Sequence, residues 1–178
     1  EDWKDLIDNP KVPLSNKAIS GQYSPGSTFK MIVALAALEA GLISEKETVT
    51  CRGHMELGTQ KFHCWKRGGH GPINLRDSLK HSCDIYYYEI AQRVGIEKIA
   101  EMARRFGLGE RLDLPINGVA AGLIPTKDWK KVERKEDWRI GDTLNAGIGQ
   151  GYVQASPMQL VTMAARLASG RMVLPRLI

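Results

Sequence analysis

The sequence predicts a mainly α fold, and three observations support this prediction. A run of apolar residues follows a turn at Pro25-Gly26 and ends at Gly41. Apolar residues recur at helical spacing from Ile96 to Phe106. A capping box with proline at the first helical position opens a further segment at Ser156. Stretches with the alternation of a strand are few, so we expect helices to form most of the core.

The first half of the chain contains one strongly apolar helix between less regular segments. Residues 1–20 include two prolines and are expected to form an extended lead. A buried helix is predicted from Ser27 to Ala40, because its residues are apolar on every side and Gly41 is a typical C-terminal stop. Residues 48–71 are polar and rich in glycine, so loops or short strands are expected there.

Helical patterns return in the second half. Residues 73–94 show one, interrupted at Ser82-Cys83-Asp84. Residues 96–106 form an amphipathic stripe, which indicates a helix packed on the core. Residues 107–151 are rich in glycine and proline and are predicted to be mostly loop. The last helix is predicted over residues 156–169, before a glycine stop.

Composition indicates one ordinary globular domain. The chain has 178 residues, of which 43% are apolar and 25% are charged. The net charge is only +5, and the basic residues of segment 127–139 are mixed with acidic ones, so we expect no nucleic-acid partner. No apolar run reaches the roughly 20 residues that a membrane-spanning helix needs, and residues 1–4 are not typical of a signal peptide.

Ser27 and Lys30 form the sequence's single Ser-x-x-Lys match, at the start of the most apolar helix. Residues three apart share a helical face, so we expect Ser27 Oγ and Lys30 Nζ to meet. A serine hydroxyl becomes a good nucleophile only when a base takes its proton, and a desolvated lysine is able to do so. The alternative is a plain helix start, because nine serines and 13 lysines give this spacing almost once by chance.

Further motifs give the sequence a family resemblance. The order of motifs is Ser27-Thr28-Phe29-Lys30, Ser82-Cys83-Asp84, and Gly147-Ile148-Gly149-Gln150-Gly151 before Ser156-Pro157-Met158-Gln159. This order resembles the class B penicillin-binding proteins, and among them the penicillin-binding protein 2 branch of elongation-specific D,D-transpeptidases. The resemblance implies the helical part of the α/β serine transpeptidase fold, also found in β-lactamases. Most of its central sheet would then lie outside residues 1–178.

The resemblance also implies a role for each motif residue. Ser27 would attack the D-Ala-D-Ala carbonyl of a peptidoglycan stem peptide, or a β-lactam ring, and Lys30 would act as its base. Ser82 would relay a proton toward the leaving amine, and Asp84 would hold Lys30 or the substrate backbone. A neighbouring stem peptide would take the acyl group. The site would lie on the periplasmic face of the bacterial inner membrane, beside a membrane glycosyltransferase.

Two departures from the family pattern matter. The broad family has asparagine where this chain has Asp84, and the penicillin-binding protein 2 branch is similar to this chain in having aspartate. The third motif of the family, Lys-Thr/Ser-Gly, does not occur in residues 1–178. We therefore expect a partial transpeptidase domain that, on its own, turns over slowly or not at all.

Three cysteines and a histidine suggest a metal site. Cys51, Cys64, His70 and Cys83 lie around one glycine-rich loop, and three thiolates with one imidazole suit a structural, tetrahedral Zn2+. The spacing is not that of a standard zinc finger. A disulfide between Cys51 and Cys64 with Cys83 buried is an alternative, as are three unrelated small apolar residues.

The family resemblance bears on this metal site as well. Members of the penicillin-binding protein 2 branch are similar in having metal ligands in this loop, here residues 48–83, and beside the second motif. His54, His63 or His81 would then be a possible substitute for one of the ligands. A metal on the Cys83 thiolate would hold the neighbouring Ser82 and Asp84 from behind.

Two other functions stay open at this point. A serine β-lactamase or a penicillin sensor shares the Ser-x-x-Lys start, although the glycine-rich segment 147–151 argues against it. A zinc-stabilised interaction module without chemistry is the alternative from a different class, with Ser27 merely at a helix start.

Overall fold

In the computed structural model, which describes residues 2–176, helices dominate. The α-helices are α1 (Asp2–Ile7), α2 (Lys17–Ser20), α3 (Lys30–Glu39), α4 (Leu75–Lys80), α5 (Asp84–Val94), α6 (Ile96–Arg105), α7 (Lys127–Trp129), α8 (Ile140–Gly147) and α9 (Pro157–Ser169). A 3-10 helix (Gly26–Phe29) leads into α3, and a π-helical turn (Lys130–Arg134) follows α7.

The strands form two small antiparallel sheets. They are β1 (Val49–Cys51), β2 (His54–Leu57), β3 (Gln60–His63) and β4 (Gly71–Ile73). Strand β1 pairs with β4, with Val49 opposite Ile73. Strands β2 and β3 form a hairpin, with His54 opposite His63. Cys51 is the last residue of β1, and Cys64 directly follows β3.

Helix α5 lies at the centre of the core. It packs against α3, α6 and α8, and Tyr86, Tyr87 and Ile90 on it are buried. A smaller apolar cluster around Ile19 and Leu112 lies apart from this core. The prediction of a mainly α fold is confirmed, since the sheets within residues 2–176 are two-stranded.

Most predicted elements are present. The break in the helical pattern of residues 73–94 is the gap between α4 and α5. Helices α6 and α9 lie where they were predicted, and the capping box of α9 forms: Ser156 Oγ accepts the Gln159 N–H at 3.2 Å, and Gln159 Oε1 accepts the Ser156 N–H at 2.9 Å. Residues 48–71 contain short strands, as expected.

Three predictions about helices need correction. Residues 1–20 are not extended: α1 forms, and α2 forms because the Asn16 side chain accepts the Ala18 N–H and Ile19 is buried. The predicted helix from Ser27 begins as a 3-10 turn, and regular α-helix starts only at Lys30. Helix α8 lies inside the segment predicted to be loop, because burial of Leu144 against the core outweighs its glycines.

Within the part of the chain that the structure describes, no helix is both long enough and apolar enough to cross a bilayer.

Candidate active site

Ser27 lies on a turn that a distant segment holds in place. We call residues 23–29 the nucleophile turn. Its first residue, Tyr23, pairs with Ala155 through two backbone hydrogen bonds of 3.0 and 2.9 Å. The Gly26 N–H donates to the Gly149 carbonyl at 2.9 Å, and Gly26 takes a positive φ of 57° that glycine adopts without strain. The turn therefore presents Ser27 at the surface.

Lys30 is buried below the turn, with a side chain only 1% exposed. Its Nζ lies 2.7 Å from Asp84 Oδ1, 2.9 Å from Ser82 Oγ and 2.9 Å from the Ser82 carbonyl oxygen. It also lies 5.5 Å from the centre of the Tyr87 ring. A buried ammonium needs several acceptors, and these groups supply three.

Ser82 joins the two motifs. Its Oγ lies 2.7 Å from Ser27 Oγ and 2.9 Å from Lys30 Nζ. Its φ of 50° is unusual for a residue other than glycine, so this backbone is held in a strained conformation. The predicted direct contact of Ser27 with Lys30 is replaced by this bridge, because Asp84 and Ser82 together draw the Lys30 ammonium to their side.

Asp84 is the first residue of α5 and uses both carboxylate oxygens. Oδ1 pairs with Lys30, and Oδ2 accepts the Trp65 backbone N–H at 3.0 Å. The Trp65 indole donates to the His81 carbonyl at 3.0 Å. No local pattern indicates a role for Trp65, because its contacts span 16 and 19 residues. Trp65 thereby connects residues 51–70, which we call the cysteine loop, to the second motif.

The four predicted metal ligands come together. One ligand atom from each of Cys51, Cys64, His70 and Cys83 lies within 4.8 Å of every other. All three cysteines are free and buried, so the Cys51–Cys64 disulfide does not form.

The three substitute histidines lie outside this group. His54 and His63 are exposed and face each other across the β2–β3 hairpin. The ring of His81 lies 6.0 Å from that of His70. The fold therefore brings together Cys51, Cys64, His70 and Cys83, and none of the three substitute histidines belongs to this group.

The donor set fits a tetrahedral zinc ion. Cys64 Sγ lies 3.6 Å from His70 Nδ1, and zinc bonds of about 2.3 Å to sulfur and about 2.05 Å to nitrogen place such ligands roughly 3.6 Å apart. The other ring nitrogen, Nε2, is buried and has no partner among the described residues.

The protonation of these groups in the absence of a cation agrees with this fit. Burial, followed by the charge of Lys66, lowers the pKa of His70, so the imidazole stays neutral. Burial raises the pKa of the Cys83 thiol to about 12, so a thiolate there needs a cation beside it.

Comparison with known proteins identifies the family. Residues 2–178 match the family described as "Penicillin binding protein transpeptidase domain". The chain belongs to the penicillin-binding protein transpeptidase family. It is 38% identical over 162 residues to the peptidoglycan D,D-transpeptidase MrdA of Escherichia coli, covering 90% of this chain and 26% of that protein. The Acinetobacter baumannii MrdA is 35% identical over 181 residues, covering 100% and 27%. The chain thus spans about a quarter of the length of these curated relatives.

Solved structures of the family agree with this fold. The chain is similar to Pseudomonas aeruginosa PBP2 in complex with WCK 5153, with a TM-score of 0.93, 38% identity, and coverage of 98% of this chain and 40% of that one. It is similar to Helicobacter pylori PBP2 in its complex with MreC, with a TM-score of 0.95, 35% identity, and coverage of 98% and 33%. An imipenem acyl-enzyme of Mycobacterium tuberculosis penicillin-binding protein A matches at 30% identity, a TM-score of 0.82, and coverage of 95% and 37%. The predicted family and the helical part of its fold are confirmed.

Proposed function

We propose that this chain forms the nucleophile side of a peptidoglycan D,D-transpeptidase. Ser27 is the nucleophile, Lys30 the base, Ser82 the proton relay and Asp84 the residue that orients Lys30. The observation that carries the proposal is the connected line from Ser27 Oγ through Ser82 Oγ to Lys30 Nζ, with steps of 2.7 and 2.9 Å. Both steps are within hydrogen-bond reach, which proton transfer requires.

The proton path follows from these contacts. When Lys30 is neutral, its two N–H groups suffice for Asp84 Oδ1 and the Ser82 carbonyl, and its lone pair faces Ser82 Oγ. Ser82 then donates to Lys30 and accepts the proton of Ser27. Lys30 then returns a proton to Ser82 Oγ, and Ser82 donates its own proton to the leaving amine. The same hydroxyl therefore serves the base step and the acid step.

The bond changes are those of acyl transfer. Ser27 Oγ bonds to the carbonyl carbon between the two terminal D-alanines of a stem peptide, the C–N bond breaks, and the released D-alanine amine takes the proton. The amine of a second stem peptide then bonds to the acyl carbon and loses a proton, the C–Oγ ester bond breaks, and Ser27 Oγ takes a proton and is free again. The Ser27 N–H lies in the first turn of a helix and is proposed to stabilise the oxyanion, together with an N–H from a strand outside residues 1–178.

Zinc is proposed at Cys51, Cys64, His70 and Cys83, on the fit of these donors described above. A bound zinc would supply cross-linking of the loop, not chemistry at the substrate. Cys83 lies between Ser82 and Asp84 in sequence, so a fixed Cys83 also fixes the backbone that carries the relay and the Lys30 partner. The metal is therefore proposed to be structural and yet required for activity.

The proposed setting is peptidoglycan synthesis on the periplasmic face of the bacterial inner membrane. β-Lactams are the expected inhibitors, since a relative is described as an imipenem acyl-enzyme complex. Partner proteins of the cell-wall machinery are expected, since another relative is described in complex with MreC. A membrane glycosyltransferase is proposed as a further partner.

Fluorescent penicillin tests the proposal on the full-length gene product. Covalent labelling should occur and should vanish in Ser27→Ala. It should persist in Ser24→Ala, which removes an exposed hydroxyl from the same turn. Rapid loss of the label from wild type would instead favour a β-lactamase. No label on wild type would favour the non-catalytic zinc module.

A further inference from the structure

A second buried lysine lies outside the site just described. Lys130 opens the π-helical turn that follows α7, and its side chain is only 2% exposed. Its Nζ lies 2.8 Å from Asp142 Oδ2 and 3.4 Å from Glu136 Oε2. The hydrogen bond that the ammonium donates to Asp142 raises the pKa of Lys130, which favours the charged form. Burying a charge is costly, and nothing in the proposed chemistry uses this one.

One contact of Lys130 holds the start of α8. Asp142 Oδ2 accepts the Lys130 ammonium and also the Arg139 backbone N–H at 2.8 Å, which caps the N-terminus of the helix. Because α8 packs against α5 in the core, the ion pair fixes where the helix enters and hence where its last residue, Gly147, lies.

A second contact of Lys130 holds the chain just beyond α8. Its Nζ lies 5.7 Å from the centre of the Tyr152 ring, within the range of a cation–π interaction. The Trp129 ring packs on the same tyrosine, with ring centres 5.1 Å apart. Lys130 therefore contacts the residues on both sides of the glycine-rich turn between Gly147 and Gly151.

That turn and the residues after it hold the nucleophile turn. We call residues 147–155 the seating segment. It contacts the nucleophile turn through the Gly149 carbonyl, bonded to Gly26, and through Ala155, bonded twice to Tyr23. The fit at Gly149 is tight, since a Cβ added there would lie 2.2 Å from the Gly26 carbonyl oxygen. A small shift of the seating segment therefore displaces the backbone next to Ser27.

We infer that Lys130 is a positioning residue for the nucleophile, which acts by clamping Asp142, in the first turn of the helix that leads into the seating segment, and Tyr152, within that segment. The inference rests on the proposed function, in which Ser27 is acylated. Lys130 contacts neither Ser27 nor its relay; it sets the place of Gly149 and Ala155, and these set the place of the turn.

The test is the acylation kinetics of the full-length protein with a fluorescent penicillin, separated into the Kd of the first complex and the rate constant of acylation. Lys130→Met should lower the acylation rate constant on the order of tenfold, less than the roughly 10²-fold that a misplacement of about 1 Å can cost. The Kd should stay the same. Lys130→Arg keeps the cation beside Asp142 and should recover most of the rate.

Arg166→Met is the matched control. Arg166 is also buried, but it donates to the carbonyl oxygens of Arg105 and Val173, away from the seating segment. Its loss should lower the amount of folded, labelled protein and leave the acylation rate constant unchanged. Tyr152→Leu keeps the ion pair of Lys130 and should slow acylation even if Lys130→Met does not fold.

The outcomes distinguish a failure of the proposed function from a failure of the positioning role of Lys130. If wild type and Arg166→Met are not labelled at Ser27, the proposed function is wrong. If both are labelled and folded Lys130→Met or Tyr152→Leu reacts at the wild-type rate constant, the positioning role of Lys130 is overturned and its contacts are purely structural.

Discussion

Lys30 Nζ and Asp84 Oδ1 lie 2.7 Å apart, although 54 residues separate them in sequence. The lysine is 1% exposed and the aspartate 15%, so the pair is largely shielded from water. The pair joins the start of α3 to the start of α5. Because Asp84 also accepts the Trp65 N–H, one carboxylate connects the lysine, the second motif and the cysteine loop.

Removing this carboxylate should destabilise the protein strongly. Asp84→Ala leaves the Lys30 ammonium buried without its counter-ion, and breaking a buried pair from one side costs about 3–5 kcal/mol. Asp84→Asn keeps an oxygen acceptor and should lose less. Urea denaturation gives the free energies of unfolding. Asp113→Ala, at an exposed residue that forms no salt bridge within residues 2–176, is the control. Equal stability of all three variants would contradict a structural role for the pair.

Two substitutions of Ser82 should differ in protein stability and yet lose acylation to a similar extent. Its φ of 50° is strained for serine, so Ser82→Gly should be more stable than Ser82→Ala by about 1 kcal/mol. Both variants lack the relay hydroxyl and should be acylated more slowly by roughly 10²-fold or more. Thermal unfolding and penicillin labelling measure the two effects. A Ser82→Gly protein that labels like wild type would exclude the relay.

Gly149 should tolerate no side chain. Both Gly149 (φ 70°) and Gly118 (φ 81°) have left-handed backbones, but a Cβ at Gly118 meets nothing within 4 Å. Gly118→Ala should therefore cost only the backbone strain, about 1 kcal/mol. Gly149→Ala adds a clash with the Gly26 carbonyl, about 1–3 kcal/mol more, and should slow acylation. Equal effects of the two substitutions on both measurements would mean that the seating segment does not constrain the nucleophile turn.

Metal removal should unfold the cysteine loop. Purified protein should contain one zinc per chain by mass spectrometry of metals, and a chelator should lower its Tm. Cys83→Ser should lose the metal and most penicillin labelling. His63→Ala changes an exposed residue outside the four donors and should retain both. Metal-free protein with full labelling would overturn the proposed requirement for zinc.

The sequence predicts those features of the fold that depend on local chemistry. The capping box at Ser156 and Gln159 predicts α9 from the sequence, because both of its hydrogen bonds join residues three apart. The amphipathic stripe of α6 is equally local. Helix α8 was missed because its helical state depends on burial of Leu144 in the core and on the Asp142 cap, against glycines at both ends.

The candidate site was predictable in its residue types but not in its connections. The Ser-x-x-Lys spacing and the second motif pointed to Ser27, Lys30, Ser82 and Asp84, and the fold brings them together. That Ser82 lies between Ser27 and Lys30 depends on the left-handed backbone at Ser82, which no local pattern indicates. The contribution of Trp65 depends on long-range contacts in the same way.

The central claim is that Ser27 forms an acyl-enzyme with a D-Ala-D-Ala peptide. Trapping the full-length protein with a stem pentapeptide and mapping the modified residue by peptide mass spectrometry tests it most directly. We expect an adduct on the peptide that contains Ser27, whose added mass equals that of the pentapeptide minus one molecule of free D-alanine, and no adduct in Ser27→Ala. Release of D-alanine with no adduct, or with an adduct on another residue, would contradict it.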